Sequence, residues 1–206
     1  MNKDSPIKSS PLDSLLSLLG VFEEPLFRWL LQKERRFQGG TLFPKKQTPW
    51  ELIQRLSLLL ESSIPYLETD YEEILPSVWV AKGVQIHGTA TLLGPLVVGE
   101  EVDIRQEARL HGPLYLGKRV LIDRGVELRS SILCEGVRIG AESLVLDSVL
   151  GREVILEDQV TTLTQGETRL SLTVEYPSGV LHPTEFHRLG SYICPGTRVR
   201  RGENLK

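Results

Sequence analysis

An aliphatic residue recurs at every sixth position from Val80 to Leu128, and this period restricts the chain to very few folds. The nine residues of this series are Val80, Ile86, Leu92, Val98, Ile104, Leu110, Leu116, Ile122 and Leu128. Four positions after each stands a second apolar series, Val84, Ala90, Leu96, Val102, Ala108, Leu114, Val120, Val126 and Ile132. In a chain that is 40% hydrophobic, eighteen such coincidences have a probability on the order of 10⁻⁷, so the period is a property of the fold.

The residues between the two series indicate corners. Positions two and three after each aliphatic residue are polar, Gly or Pro, as in Lys82-Gly83 and Gly112-Pro113. Six does not fit the 3.6-residue period of a helix, whereas alternation within each unit fits a strand. We therefore predict a mainly-β parallel β-helix of about five coils, in which three short strands and their corners form each coil of eighteen residues.

The period slips by one residue near Cys134 and again near Leu150. After the second slip, Leu150 and Leu156 take the inward position, with Val154 and Val160 four residues later. Within the coils, some positions predicted to point outward are nevertheless apolar, namely Val97, Tyr115, Leu121 and Leu133. An exposed apolar patch on one side of a β-helix indicates a partner surface.

Helical signals precede the coils. One apolar stripe, Leu12, Leu15, Leu16 and Leu19, ends at Gly20, and a second helix is predicted from about residue 23 to residue 36. Thr48-Pro49-Trp50-Glu51 combines a capping box with proline in the first turn, so a third helix should run to about Glu61. The chain should therefore divide into five segments. They are an N-terminal helical segment (1–47), a lead-in helix with a linker (48–76), the β-helix coils (77–162), an excursion from the coils (163–188), and a terminal coil with a tail (189–206). Within the excursion, Leu170, Leu172 and Val174 alternate as in a strand, before a turn at 177–179.

Composition excludes several classes of function. The net charge of −3 provides no basic field for nucleic acid, and no apolar stretch is long enough to span a membrane. Two cysteines give neither a disulfide framework nor a zinc quartet, and four histidines without close pairs give no metal site. We expect a reduced, cytoplasmic protein without a metal.

Residues 127–147 resemble a known motif. A glutamate, two basic residues, two glycines and an aspartate stand at matching positions, Glu127, Arg129, Gly136, Arg138, Gly140 and Asp147. This stretch, and more loosely 79–162 and 189–202, resembles the hexapeptide-repeat transferases. It is most similar to the acetyltransferase half of the bifunctional enzymes that make UDP-N-acetylglucosamine. The resemblance implies a left-handed β-helix, a homotrimer with ligand sites between neighbouring coils, and acetyl-CoA or a sugar nucleotide as cofactor if the protein is active.

The sequence departs from this family where the chemistry takes place. The position of the family's catalytic histidine is Ala141, which cannot remove a proton from an attacking amine. Its sugar-contacting tyrosine falls on Leu144, an asparagine on Ile155, and a Gly-Ala-Gly-Thr run on residues 157–160. We therefore expect a non-catalytic binding or assembly module. The alternative is an active acyl- or sugar-phosphate transferase with a relocated base, for which His111 is the fallback candidate.

Four arginines are candidates for binding phosphate or coenzyme A, because they are predicted to point outward: Arg105, Arg124, Arg129 and Arg138. The alternative for each is a solvated charge paired with a neighbouring carboxylate. A nucleophilic triad of Asp147, Ser148 and either His182 or His187 is a weaker hypothesis.

Overall fold

The structure, a computed structural model, describes residues 19–34, 48–162, 164–165, 173–175, 181–183 and 188–205. Of the predicted first helix only the end at Leu19 lies in this part, where Gly20 adopts a left-handed conformation before a short 3-10 helix, Val21–Glu23. The end of the predicted second helix, at residues 35 and 36, lies outside the described residues. None of the helices in the described ranges is long and apolar enough to cross a membrane.

Three α-helices precede the β-helix: α1 (Pro25–Glu34), α2 (Pro49–Ser62) and α3 (Ile64–Asp70). The capping box predicted at Thr48 is present, since the Glu51 amide donates to the Thr48 hydroxyl (3.3 Å) and the Thr48 amide donates to the Glu51 carboxylate (2.8 Å). The short helix α3 occupies a stretch that the sequence analysis assigned to a linker.

Nineteen short strands follow in the part of the chain that the structure describes. They are β1 (Glu72–Leu75), β2 (Val78–Val80), β3 (Gln85–Ile86), β4 (Thr91–Leu93), β5 (Leu96–Val98), β6 (Asp103–Ile104), β7 (Arg109–Leu116), β8 (Leu121–Ile122), β9 (Glu127–Leu133), β10 (Arg138–Ile139), β11 (Leu144–Leu146), β12 (Val149–Leu150), β13 (Ile155–Leu156), β14 (Thr164–Gln165), β15 (Thr173–Glu175), β16 (Leu181–Pro183), β17 (Arg188–Leu189), β18 (Tyr192–Ile193) and β19 (Arg198–Val199).

These strands stack on three faces. The first face has the order β1-β2-β5-β7-β9-β12-β18, and the second is a six-stranded sheet in the order β3-β6-β8-β10-β13-β19. The third face contains β4, β11 and the first halves of β7 and β9, which bend around a corner onto the first face. Apart from β1, every pairing on these faces is parallel, so the predicted mainly-β parallel β-helix is confirmed.

The coil length changes along the stack. On the second face Ile86, Ile104 and Ile122 pair at intervals of eighteen residues, whereas Ile122, Ile139 and Leu156 pair at intervals of seventeen. The aliphatic residues of the coils form one core inside the tube. That core includes Leu150, Val154, Leu156 and Val160, as predicted for the region after the second slip.

The first slip occurs earlier than predicted, and this corrects the orientation of two residues. Ser130 has φ +46, and beyond it Tyr115 pairs with Ile132 while Leu116 pairs with Leu133. Leu133 therefore enters the tube, where it is 0% exposed, and Ile132 faces outward. The predictions for both were wrong because this coil is one residue shorter than the one before it. Since side chains alternate along a strand, losing one residue exchanges the inward and outward positions that follow.

The N-terminal helices cover the first face. Val97 and Tyr115, predicted to form a partner surface, are each 1% exposed and pack in one apolar cluster with residues such as Phe27 and Leu56. The rings of Phe27 and Tyr115 meet edge to face at 5.1 Å. These residues therefore contact the chain's own helices. Of the four predicted outward apolar residues only Leu121 is half-buried, on the second face, which none of the described helices covers.

The excursion leaves and rejoins the stack through antiparallel pairs. Strands β14 and β17 pair with each other, and β15 pairs with β16, with Val174 opposite His182. The predicted strand at Val174 is thus present, whereas Leu170, Leu172 and the turn at 177–179 lie outside the described residues. Strands β18 and β19 then resume the parallel stack on the first and second faces.

Candidate ligand-binding groove

A shallow groove of about 310 Å³ crosses the second face over β8, β10 and β13. Leu121, Arg138 and Ile155 occupy one register position on three successive coils, so their side chains form one column. In the adjacent column Gly140 stacks closely on the next coil, since a Cβ built there would stand 2.6 Å from both the Asp158 nitrogen and the Glu157 carbonyl carbon. The groove is lined by Leu121, Asp123, Arg138, Ile139, Gly140, Ile155, Leu156, Glu157, Asp158 and Arg201.

Two of the three carboxylates in the groove are held by donors of the β-helix itself. Asp123 accepts from the Arg124 amide (2.7 Å) and from the Arg105 guanidinium (3.2 Å). Asp158 accepts from the Ala141 amide at 3.0 Å. Both side chains therefore stabilise coil-to-coil contacts.

The third carboxylate is the most strongly engaged. The Arg198 guanidinium donates to Glu157 at 2.8 Å, and the Arg201 amide donates to its other oxygen at 3.0 Å. The Arg198 hydrogen bond, followed by the Arg201 amide, lowers the pKa of Glu157. Glu157 thus remains ionised and is a poor proton acceptor near neutrality.

Arg138 differs from the other three predicted arginines. Arg105 pairs with Asp103 and Asp123, Arg124 with Glu142 and Arg129 with Glu127, at 3.2 to 3.6 Å. Arg138 is exposed and has no carboxylate within 4 Å among the described residues. Arg138 is therefore the one of the four predicted arginines whose guanidinium lacks a carboxylate partner in the described part of the chain.

Ala141, the residue that the family resemblance aligns with a catalytic histidine, has no titratable side chain. Ala141 is only 8% exposed, at the corner that follows β10, and Asp158 binds its amide. Leu144 is half-buried on the third face, and Ile155 forms an apolar side of the groove. Ala141 itself therefore cannot exchange a proton, and the carboxylate in contact with its backbone is that of Asp158.

Neither described histidine side chain lies in the groove. His111 is half-buried on the third face, opposite Leu93 and Arg129. His87 belongs to the first coil, and its Nδ1 lies 2.9 Å from the Thr89 hydroxyl. The structure therefore does not bring the fallback base His111 together with Arg138.

The hypothesis of a triad at Ser148 is not supported. Ser148 is fully buried, and its hydroxyl contacts the Leu146 carbonyl oxygen (2.6 Å) and the Thr162 hydroxyl (2.8 Å). A hydroxyl held in this way stabilises the corner and is closed to a substrate. The His182 side chain and His187 lie outside the described part. Within that part, no three His, Cys, Asp or Glu side chains are placed to hold a metal ion.

Sequence reasoning missed Arg201 as a groove residue. It follows the excursion and belongs to the terminal coil, which stacks on β13 through β19. The six-residue interval between Ile193 and Val199 was the available signal, because it places residue 201 at a corner of a further coil.

Neither any protein-family model nor any curated protein matches the sequence. Among solved structures, the chain is similar to a crystal structure from Bacillus cereus described as a "putative acetyltransferase". The two share 21% identity over 61% of this chain and 67% of that chain, with a TM-score of 0.32. The β-helix assignment rests on the strand pairings, and a similarity this low indicates nothing about the function of the chain.

Proposed function

We propose that this protein is a non-catalytic binding module of the hexapeptide-repeat transferase type, whose groove at Arg138 takes a phosphorylated ligand such as coenzyme A or a sugar phosphate. One observation carries the proposal: the groove combines an arginine that has no carboxylate partner in the described chain with a lining that contains no histidine.

The chemistry of the groove suits an anion with an apolar part. A guanidinium can hold a phosphate through two parallel hydrogen bonds, and Arg138 and Arg201 both line the groove. Leu121 and Ile155 flank Arg138 on the neighbouring coils and offer apolar contact. The three carboxylates already accept hydrogen bonds from the β-helix, so they oppose an incoming anion less than free carboxylates would.

Replacing Arg138 with glutamine should weaken the binding of coenzyme A about tenfold or more, because a charge-assisted hydrogen bond contributes about 1.5 to 3 kcal/mol. Isothermal titration calorimetry measures the change. The matched control is Arg109→Gln, which removes an exposed arginine from the third face and should leave the affinity unaltered. Equal losses for the two variants would show that the binding is unspecific attraction to positive charge.

Turnover separates this proposal from the alternative of an active transferase. A thiol-release assay with acetyl-CoA and glucosamine 1-phosphate should detect none, since a positioned general base contributes about 10²- to 10⁴-fold and Ala141 cannot act as one. Ala141→His should also remain inactive, because Leu144 and Ile155 replace polar contacts of the family. Turnover above about 1 s⁻¹ would support the alternative, and His111→Ala would then test the relocated base.

We also propose that the protein is a cytoplasmic homotrimer. None of the described helices covers the second face, which presents the half-buried Leu121 beside the groove as an apolar contact for a neighbouring subunit. The family resemblance implies a homotrimer with ligand sites between neighbouring coils. Both cysteines are free thiols, as suits a reducing compartment. Light scattering at micromolar concentration should give three times the chain mass of 23.2 kDa, and a monomer would contradict the trimer.

A further inference from the structure

A buried carboxylate joins the N-terminal helices to the β-helix. Glu24 lies between the 3-10 helix and α1 and is 1% exposed. Its carboxylate accepts from the Tyr115 hydroxyl (3.2 Å) and the Glu135 amide (2.9 Å). Gly117 lies directly beneath, since a Cβ built there would stand 2.6 Å from the carboxylate, so the first face has a cradle that only glycine leaves open.

The charge of Glu24 is incompletely balanced. The Nε of Arg152 is 3.7 Å away and has no hydrogen-bond partner among the residues that the structure describes, while the Nη1 of the same guanidinium pairs with Glu23. The carboxylate of Glu135 also faces this region but pairs with Arg119 at 3.0 Å. Each nearby charge is therefore shared with another partner.

Two further titratable groups face Glu24 from the β-helix. Burial raises the pKa of the Tyr115 hydroxyl, and burial likewise raises the pKa of the Cys134 thiol, whose sulfur is 3.7 Å from the Leu19 carbonyl oxygen. Both groups therefore stay neutral across the ordinary pH range. Glu24 is thus the group of this set whose charge changes in mild acid.

This carboxylate sits in an interface that is otherwise largely apolar. Around it the segment 19–34 buries side chains that are each 0% exposed, Leu19, Val21, Leu26, Phe27 and Leu30. They pack on the outward residues of the first face, including Val97, Ile132 and Val149. Ionising a carboxylate in such surroundings is unfavourable unless its hydrogen bonds compensate fully.

We propose that Glu24 is a pH-sensitive latch, which holds the segment 19–34 on the first face of the β-helix and loosens when its carboxyl group loses a proton. Burial, the largest influence, raises the pKa of Glu24 above its ordinary value, although the Glu135 amide, the Tyr115 hydroxyl and Arg152 act in the opposite direction. The docked segment therefore binds the proton more tightly than the released one. Docking is strongest below the ordinary pKa of a glutamate and weakens as the pH rises through the raised value.

Hydrogen exchange measured residue by residue tests the latch. From about pH 4 to about pH 7.5, protection of the α1 amides, corrected for intrinsic exchange, should fall about tenfold for each unit by which the pKa is raised. Amides in the second face, such as Asp103 and Leu121, should keep their protection. In Glu24→Gln the protection of α1 should not vary with pH, because glutamine stays neutral and its oxygen can still accept a hydrogen bond.

Two other variants keep the test decisive. Glu23→Gln alters the exposed neighbour that pairs with Arg152 and should retain the pH dependence. Tyr115→Phe removes a donor that favours the ionised carboxylate, so the fall in protection should move to higher pH. This second variant decides the matter if Glu24→Gln fails to fold. A pH dependence that persists unchanged in Glu24→Gln, or that does not move in Tyr115→Phe, overturns the proposal.

Discussion

Val120→Asp should unfold the protein. Val120 is 1% exposed inside the tube, where its neighbours are the aliphatic residues of the adjacent coils. An aspartate there would bury a charge without a partner, and a loss of more than about 4 kcal/mol is expected for that class of substitution. A domain whose total stability is about 5 to 15 kcal/mol cannot absorb such a change.

Circular dichroism during thermal unfolding measures the effect. The matched control is Gln106→Asp, which also converts a neutral side chain to an aspartate but at an exposed corner. It should shift the melting temperature by only a few degrees, because a surface substitution usually changes stability by about 0.5 kcal/mol or less. Equal shifts for the two variants would contradict the inward orientation of Val120.

Gly112→Ala should destabilise the β-helix by about 3 kcal/mol or more. A Cβ at Gly112 would meet the backbone of the previous coil, at 2.6 Å from the Pro95 nitrogen, 2.8 Å from the Gly94 carbonyl carbon and closer still to the Pro95 oxygen. These are backbone atoms, so the added methyl can be accommodated only by separating two stacked coils.

The first coil supplies the control for this substitution. Gly88 stands at the same position of its hexapeptide, yet a Cβ there would meet nothing within 4 Å. Gly88→Ala should be neutral or stabilise by about 0.4 to 1 kcal/mol, since alanine reduces the freedom of the unfolded chain. Urea denaturation of both variants gives the two free energies of unfolding, and similar values would contradict the close stacking at Gly112.

Local signals in the sequence determined the architecture. The six-residue period places aliphatic side chains inside the tube wherever the hexapeptides continue unbroken, as at Ile104 and Ile122, because each strand needs only its own alternation to define an inward side. The capping box at Thr48 was equally readable, since its donors and acceptors lie within four residues of one another. The alignment of Ala141 with a transferase base is a prediction that rests on the resemblance in one continuous stretch of sequence.

Contacts between distant residues were decided by the tertiary structure alone. The slip at Ser130 depends on which residues of β7 and β9 share backbone hydrogen bonds, so Ile132 and Leu133 could not be oriented from their own hexapeptide. Tyr115 looked like an exposed apolar residue because nothing near it in sequence shows that Phe27 and Glu24 cover it.

Contacts between distant residues also decide which arginine lacks a carboxylate partner in the described chain, and that arginine is Arg138. All four arginines looked alike in sequence, and the carboxylates that pair with Arg105 and Arg124 come partly from neighbouring coils, eighteen residues away in each case. The burial of a side chain and its ion pairs depend on residues of other coils and helices, which come together only when the β-helix is complete. The period therefore specified the tube and its core, whereas the packing of helices and coils decided which polar groups were buried, engaged or left available.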